Sequence, residues 1–410
     1  MSADTLAPAA PRYRWIILGI ATFAQTASGF FVQGIGALGV QLQRDLDLSA
    51  AQLGLLLSAA QLAPLVGLVV AGELLDRFDE RWVVGTGACV VAVALGAGSA
   101  APGYVSLLLV LLIVGAGNST AQPGGSKAVA SWFEANRRGF AMGIRQAGLP
   151  LGGALAAASL PAVAGAFGWR ATLVTGGLVA LLGGVVFMRW YRPPPAGTAA
   201  GPTGTGGSIG SWLAARFGML REPAMVRITL SGTSLISVQC GVLVLTVLHL
   251  HDTTSLSAGS AALVLVVAQA AGVVGRICLA AWSDRGTSGR QTSLTVCMAA
   301  VLVGMAALMT PLGQSPLTAV LLFVWLGFFG YGWYGPWVAQ VAESAPPGRT
   351  GFAIGLAMSV NQIAIVVMPP TLGLLTDLTH GFDAAWGLLA SMTAASLLVT
   401  ARMGRVPRSP

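Results

Sequence analysis

The chain has 410 residues, of which 55% are hydrophobic and only 9% are charged, and its mean hydropathy is +0.77. A soluble protein of this length has too much surface for so few charges, so the composition indicates a membrane protein. The net charge of +8 does not indicate nucleic acid, because nearly every basic residue lies in a short loop or beside an apolar segment, where it sets orientation in the bilayer.

Apolar segments of about 20 residues recur along the chain, and each is long enough to cross a hydrocarbon core of about 30 Å. The alternating ten-residue segments of a membrane β-barrel are absent from the sequence. We therefore predict an all-α polytopic membrane protein. Its twelve transmembrane helices are predicted at 14–37, 51–71, 82–100, 104–126, 139–165, 169–189, 225–249, 257–281, 292–311, 316–341, 351–376 and 383–402.

The basic residues also predict the orientation of these spans. If both termini are cytoplasmic, the outside loops keep only Arg44 and Arg170, and the other loop arginines lie inside. We expect a protein integral to the cytoplasmic (plasma) membrane. The four cysteines all lie within apolar segments without metal-like spacing, so we expect no metal and no cofactor.

A polar stretch, 117–153, connects the fourth and fifth spans. It is predicted to be a helix with Asn118 and Gln122, a short basic turn from Lys127 to Arg138, and a helix with Arg145 and Gln146. Polar groups at membrane depth are costly and usually line a protein interior or a water-filled path.

A linker rich in Pro, Gly and Thr divides the chain. Residues 193–208 are predicted to be flexible, and 209–222 to form an amphipathic helix at the cytoplasmic interface. We therefore predict one six-helix bundle at 1–192, a cytoplasmic linker at 193–222 and a second bundle at 223–410.

The two halves resemble each other. GFAMG at Gly139–Gly143 recurs as GFAIG at Gly351–Gly355, and Asp76-Arg77 recurs as Asp284-Arg285. Six-helix halves related as parallel repeats are typical of a large class of secondary transporters, which bind substrate near the midplane between the halves.

GELLDRFDER, at Gly72–Arg81, resembles the loop signature of the major facilitator superfamily. The resemblance implies the major facilitator fold, two pseudo-symmetric six-helix bundles, with a gate on the cytoplasmic side. In the second copy a different residue replaces the leading glycine, so only the Asp-Arg pair and Arg290 match. The predicted gating residues are Gly72, Asp76, Arg77, Arg81, Asp284 and Arg285.

Two further strings narrow the resemblance. SWFEANRRGFAMGIRQAG, followed by FGWR, is similar to the cyanate/nitroimidazole permeases, the organic anion symporters and the monocarboxylate and oxalate carriers. GRICLAAWSDR resembles the eighth span of the monocarboxylate group, in which an arginine meets the carboxylate; Arg276 is the matching residue. Drug/proton antiporters carry an arginine in the fourth span, where this chain has Asn118 and Gln122.

Arg145 and Arg276 are expected about 10 Å inside their spans. Each could extend to the cytoplasmic headgroups instead. No acidic residue lies mid-span to pair with them, so we expect both to face the central cavity, one from each half, and to bind an anion.

Other polar residues are candidates to line the same cavity, although each could equally form an interhelical hydrogen bond. The predicted substrate-binding residues are Arg145, Arg276, Gln146, Asn118, Gln122, Gln25, Tyr331, Tyr334, Asn361, Gln362 and Gln239. His249 and His251 are expected to form a solvated loop pair, with proton sensing as the alternative.

The sequence thus predicts a secondary active transporter for a small, monocarboxylate-like anion that works by alternating access. The alternative is efflux of a drug or apolar metabolite by the same fold. We expect no enzymatic activity, because no cluster of catalytic residues lies at depth. The expected partners are the lipid bilayer and the anion, with a co-transported proton left open, no nucleic acid, and a monomeric protein.

Overall fold

The computed structural model describes residues 10–194, 218–254, 256–285 and 289–403. The predicted linker and amphipathic helix lie mostly outside these residues, and only their end, Gly218–Arg221, is described, as a short 3-10 helix. The α-helices of the described part are α1 (Ala10–Gly34), α2 (Gly39–Asp45), α3 (Ala50–Leu62), α4 (Pro64–Arg77), α5 (Glu80–Gly98), α6 (Tyr104–Asn118), α7 (Ala121–Trp132), α8 (Ala135–Phe167), α9 (Trp169–Trp190), α10 (Pro223–Thr254), α11 (Ala258–Arg285), α12 (Gly289–Leu308), α13 (Pro316–Gly332), α14 (Tyr334–Ser344), α15 (Thr350–Thr379) and α16 (Asp383–Met403).

These helices supply twelve candidate membrane spans within the described residues. Three of the spans consist of two helices each, namely α3 with α4, α6 with α7, and α13 with α14. The prediction of an all-α polytopic membrane protein with twelve spans is confirmed.

Prolines account for the interruptions in the fourth and tenth spans. Pro123 lies one turn beyond the break between α6 and α7, and Pro336 one turn beyond the break between α13 and α14. A proline ring clashes with the carbonyl four residues earlier and cannot donate to it, so the helix is disrupted at that point. The two halves of the sequence therefore break corresponding spans in the same way.

The predicted basic turn from Lys127 to Arg138 is wrong. Helix α7 continues to Trp132 and α8 already begins at Ala135, so the connection is only two residues long. Lys127 lies within α7, and its ammonium nitrogen lies 3.1 Å from a carboxylate oxygen of Glu80. Arg145 is consequently ten residues beyond the start of α8, or about 15 Å along the axis.

One compact unit, here called the first unit, contains residues 1–134, 144–204 and 345–359. Its hydrophobic core includes Phe31, Leu95 and Leu111. Helices α5 and α6 approach closely at two facing glycines: a Cβ added to Gly87 would lie 2.6 Å from the Gly117 carbonyl oxygen.

The other compact unit, here called the second unit, contains residues 135–143, 205–344 and 360–410. Helices α11 and α13 pack against each other through Gly275, where an added Cβ would lie 2.2 Å from the Phe328 carbonyl oxygen. This close approach brings the adjacent Arg276 against α13. The domain boundaries predicted from the linker stay a prediction.

Candidate functional site

Arg145 lies within a polar network of the first unit and is fully buried. One guanidinium nitrogen, Nη2, donates to Gln25 Oε1 at 2.7 Å and to the carbonyls of Ala121 and Gln122 at 2.9 and 2.8 Å. Nη1 donates to Ser126 Oγ at 2.9 Å. These bonds join α1, α7 and α8 beside the break in the fourth span, so Arg145 does not extend to the headgroups.

The other predicted residues of the first unit are less directly connected to Arg145. Asn118 accepts a hydrogen bond from Ser28 beside a small internal cavity that both residues line. Gln146 is buried on α8. Of the residues predicted here, the structure therefore brings together Arg145, Gln25 and the backbone of Gln122, and it adds Ser126, which the sequence reasoning missed.

Arg276 forms the centre of a cluster in the second unit. Its Nε donates to the Tyr331 carbonyl at 3.2 Å, and its guanidinium carbon lies 5.8 Å from the Tyr334 ring centroid. The Tyr331 hydroxyl lies 3.5 Å from the Gln239 carbonyl oxygen. Arg276 is only 4% exposed, so this cation is also buried and does not reach the headgroups.

Two amide side chains of the second unit have buried atoms without a hydrogen-bond partner within the described residues. Asn361 is 2% exposed, and neither its Oδ1 nor its Nδ2 has a partner within the described residues. The same holds for Oε1 of Gln239. Gln362, next to Asn361 on α15, is also buried.

The Asp76 cluster is the first of two candidate gating sites and lies in the first unit. The Asp76 carboxylate accepts from the backbone amides of Gly351 and Phe352 at 2.7 and 2.8 Å. Lys127 Nζ lies 3.8 Å from Asp76 Oδ1. The prediction that Gly72 permits close helix approach fits the packing, since an added Cβ would lie 2.6 Å from the Gly351 carbonyl oxygen.

The neighbouring charges extend this cluster. The Tyr191 hydroxyl donates to Glu80 at 3.0 Å, and burial together with the Glu80 carboxylate raises the pKa of Tyr191. Arg77 pairs with Glu73 at 2.7 Å, whereas Arg81 lies 3.8 Å from Asp79 and over the Trp82 ring.

The Asp284 cluster is the second candidate gating site and lies in the second unit. The Asp284 carboxylate accepts from the amides of Gly139 and Phe140 at 2.9 and 2.6 Å. Arg290 contacts Asp284 and lies 2.9 Å from Glu343. Arg285, the arginine predicted for this cluster, is exposed. Arg290, which the loop signature also matches, contacts Asp284 instead.

The fold and the sequence agree with a known protein family. The model of the Major Facilitator Superfamily matches residues 18–369. The protein belongs to this superfamily, and it is a transporter and not an enzyme.

Two relatives and one solved structure match over most of the chain. An uncharacterized MFS-type transporter of Mycobacterium tuberculosis is 27% identical over 401 residues, covering 95% of this chain and 85% of that protein. The hexuronate transporter of Bacillus subtilis is 24% identical over 377 residues, covering 89% and 88%. The structure of the proton:xylose symporter XylE matches with a TM-score of 0.77 at 16% identity and 97% coverage of both chains.

Proposed function

We propose that this transporter carries a small organic anion across the cytoplasmic membrane by alternating access, and that Arg276 binds the carboxylate of the substrate. The observation that carries this proposal is the Arg276 cluster. A carbonyl oxygen and a tyrosine ring hold the buried guanidinium, and both groups are neutral, so they orient the side chain without neutralising it.

The chemistry of arginine favours a carboxylate as the ligand. A guanidinium presents its N–H groups as a planar fork that matches the two oxygens of a carboxylate, whereas an ammonium supplies only a point charge. A cation at membrane depth costs about 2.5–3.5 kcal/mol on the insertion scale. A bound anion would offset part of this cost.

The unused amide atoms of Asn361 and Gln239 favour a substrate that carries hydroxyl groups beside its carboxylate. An unpaired buried polar group costs about 1–3 kcal/mol, and a hydroxyl can both donate to and accept from an amide. We therefore sharpen the predicted monocarboxylate-like substrate to a hydroxylated organic acid. The relative named a hexuronate transporter is consistent with this class.

Arg145 has a different part in this proposal. Its hydrogen bonds to Gln25, Ser126 and two carbonyls favour a positioning role for the fourth and fifth spans. Contact of Arg145 with the anion, and binding by Gln146, Gln362 and Asn118, stay predictions from the sequence.

The proposal is tested by ligand binding to purified protein. We expect glucuronate, gluconate or lactate to raise the thermal unfolding temperature, and glucose to have no effect. Arg276→Ala should weaken binding of the best acid about 10- to 100-fold, because a hydrogen bond to a charged group contributes about 1.5–3 kcal/mol. Arg276→Lys should weaken it less.

The matched control is Arg44→Ala, since Arg44 is an exposed arginine outside the cluster and its removal should not change binding. Unchanged uptake of an identified acid by a folded Arg276→Ala protein would contradict the proposal. Efflux of a bulky apolar compound would then become the better hypothesis.

The proposed orientation, with both termini and residues 193–222 in the cytoplasm, is tested separately. In a background without the four native cysteines, Ser208→Cys should react with an impermeant thiol reagent only after the cells are opened. Labelling of intact cells at this position would show that the orientation is wrong.

A further inference from the structure

A cavity of about 760 Å³ lies at one end of the second unit, where α10, α12 and α15 end and α16 begins. It is separate from the Asp284 cluster: Arg290 and Leu308 mark the two ends of α12, about 27 Å apart along the axis. The residues of interest in its lining are His249, Asp252, Asp377, His380, Phe382 and Asp383. We call it the histidine pocket.

The charge of the histidine pocket is opposite to that of the chain as a whole. Among the described residues that line it, three are aspartates and none is a lysine or arginine, whereas the chain carries a net charge of +8. A concave surface lined by carboxylates concentrates ions of the opposite sign. The pocket therefore favours a cationic ligand and disfavours the organic anion of the proposed function.

His249 contributes a second, independent feature. It was expected in a solvated loop, but the structure contradicts this: His249 is 3% exposed, and its ring lies between Phe323 and Phe382, with centroid distances of 5.5 and 4.9 Å. Aromatic packing at the ends of α10 and α16 buries His249, whereas His251, two residues further along α10, is exposed.

The tautomer of His249 follows from its neighbour. Nδ1 lies 3.2 Å from Trp386 Nε1, and because an indole N–H only donates, Nδ1 must accept and the neutral ring carries its proton on Nε2. The Gly313 backbone approaches this ring, but Nε2 makes no hydrogen bond of ordinary geometry within the described residues. The buried Nε2–H thus makes no hydrogen bond of ordinary geometry within the described residues, and it belongs to a residue that lines the pocket.

The arrangement of the acidic residues does not favour a metal ion as the ligand of this pocket. Within the described residues no group of three or more His, Cys, Asp or Glu side chains is arranged to hold a metal ion, so the aspartates are too dispersed to coordinate one. The volume instead falls in the range of small-molecule sites, and Phe382 adds a ring face that attracts cations.

We propose that the histidine pocket binds a hydroxylated organic amine. The ammonium group lies near the aspartates, and a hydroxyl oxygen accepts from His249 Nε2. This inference does not depend on the substrate proposed for Arg276, and the two can fail separately.

Calorimetry on the full-length protein in phosphatidylcholine nanodiscs tests the proposal with three probes of similar size. Protonated glucosamine carries both required groups, N-acetylglucosamine lacks the charge, and cyclohexylamine lacks the hydroxyls. Glucosamine should bind at least ~10-fold more tightly than either of the others, and its affinity should fall as salt is added.

The variants locate the binding. Asp383→Asn should weaken glucosamine binding several-fold with the fold intact, because asparagine keeps the size of the side chain and removes only its charge. His249→Phe keeps the aromatic packing and should remove the preference for glucosamine over cyclohexylamine. Asp45→Asn, at an exposed acid far along the chain, should change nothing.

Equal binding of glucosamine and N-acetylglucosamine would overturn the proposal. So would equal effects of Asp383→Asn and Asp45→Asn. If His249→Phe does not fold, Asp252→Asn replaces it, and unchanged glucosamine binding in both aspartate variants would also overturn the proposal. Binding of the organic acid should be the same in all folded variants.

Discussion

Arg145 and Arg276 are both buried arginines in the middle of membrane spans, yet their surroundings differ. Arg145 donates to a side-chain amide, a hydroxyl and two carbonyls of the first unit, whereas Arg276 donates to the Tyr331 carbonyl and lies beside the Tyr334 ring. The comparison shows that depth alone does not assign a role. We expect an arginine that donates to several side chains and carbonyls to stabilise the fold, and one that packs against a tyrosine ring to be better placed to bind a ligand.

The two candidate gating clusters share their acceptor geometry but differ in the cation that contacts the aspartate. Asp76 and Asp284 each accept from two consecutive backbone amides of a Gly-Phe pair. The cation, however, comes from Lys127 on α7 in the first cluster and from Arg290 on α12 in the second. The bond between carboxylate and amides is therefore the shared element of the repeat, and the cation can be supplied from different helices.

The largest expected effect tests the comparison of the arginines through stability. Arg145→Ala leaves buried oxygens of Gln25 and Ser126 without their donor, at about 1–3 kcal/mol for each unsatisfied group. Arg276→Ala loses the hydrogen bond to the Tyr331 carbonyl but also removes a buried cation, so these changes offset each other. Thermal unfolding in detergent should show a large loss for Arg145→Ala and a small change for Arg276→Ala; equal losses would mean that both arginines are structural.

The sequence predicted the spans better than it predicted the contacts of the Asp76 and Asp284 carboxylates. The Asp-Arg and Gly-Phe-Ala repeats were both recognisable, but their pairing joins residues 275 positions apart, such as Asp76 and Gly351. No local pattern carries that information, because it depends on how the helices pack.

The partners of individual cations depend on geometry that the sequence does not show. Arg285 follows Asp284 directly, but consecutive residues of a helix do not face each other, and the partner comes from the next helix as Arg290. For Arg145, the depth and the lack of mid-span acids could be read from the sequence. Its partners on α1 and α7 could not, because they depend on the break in the fourth span.

The second prediction concerns the shared element of the two clusters. Asp76→Asn and Asp284→Asn each replace two charge-assisted hydrogen bonds with at most one neutral acceptor. Since such bonds contribute about 1.5–3 kcal/mol, each variant should slow transport about 10- to 100-fold, while the Kd of the substrate changes little.

Transport into proteoliposomes and equilibrium binding to the same protein separate these quantities, with Asp45→Asn as the exposed control. If substrate affinity collapses and the transport rate at saturation does not change, the two aspartates belong to a binding site and the gate assignment is wrong. Slowing by only one variant would show that the clusters are not equivalent.

The smallest expected effect distinguishes the two cations. Arg290 is the more buried of the two and also contacts Glu343 and the Ala135 carbonyl, whereas Lys127 is partly exposed and pairs mainly with Glu80. A buried pair loses more than an exposed one when a single partner is removed, so we expect Arg290→Ala to slow transport about 5-fold more than Lys127→Ala, a difference of about 1 kcal/mol. Arg285→Ala is the matched control, because this exposed arginine directly follows Asp284 in sequence, and it should leave transport unchanged. A larger effect of Arg285→Ala than of Arg290→Ala would restore the residue that the sequence pattern first indicated as the gating cation.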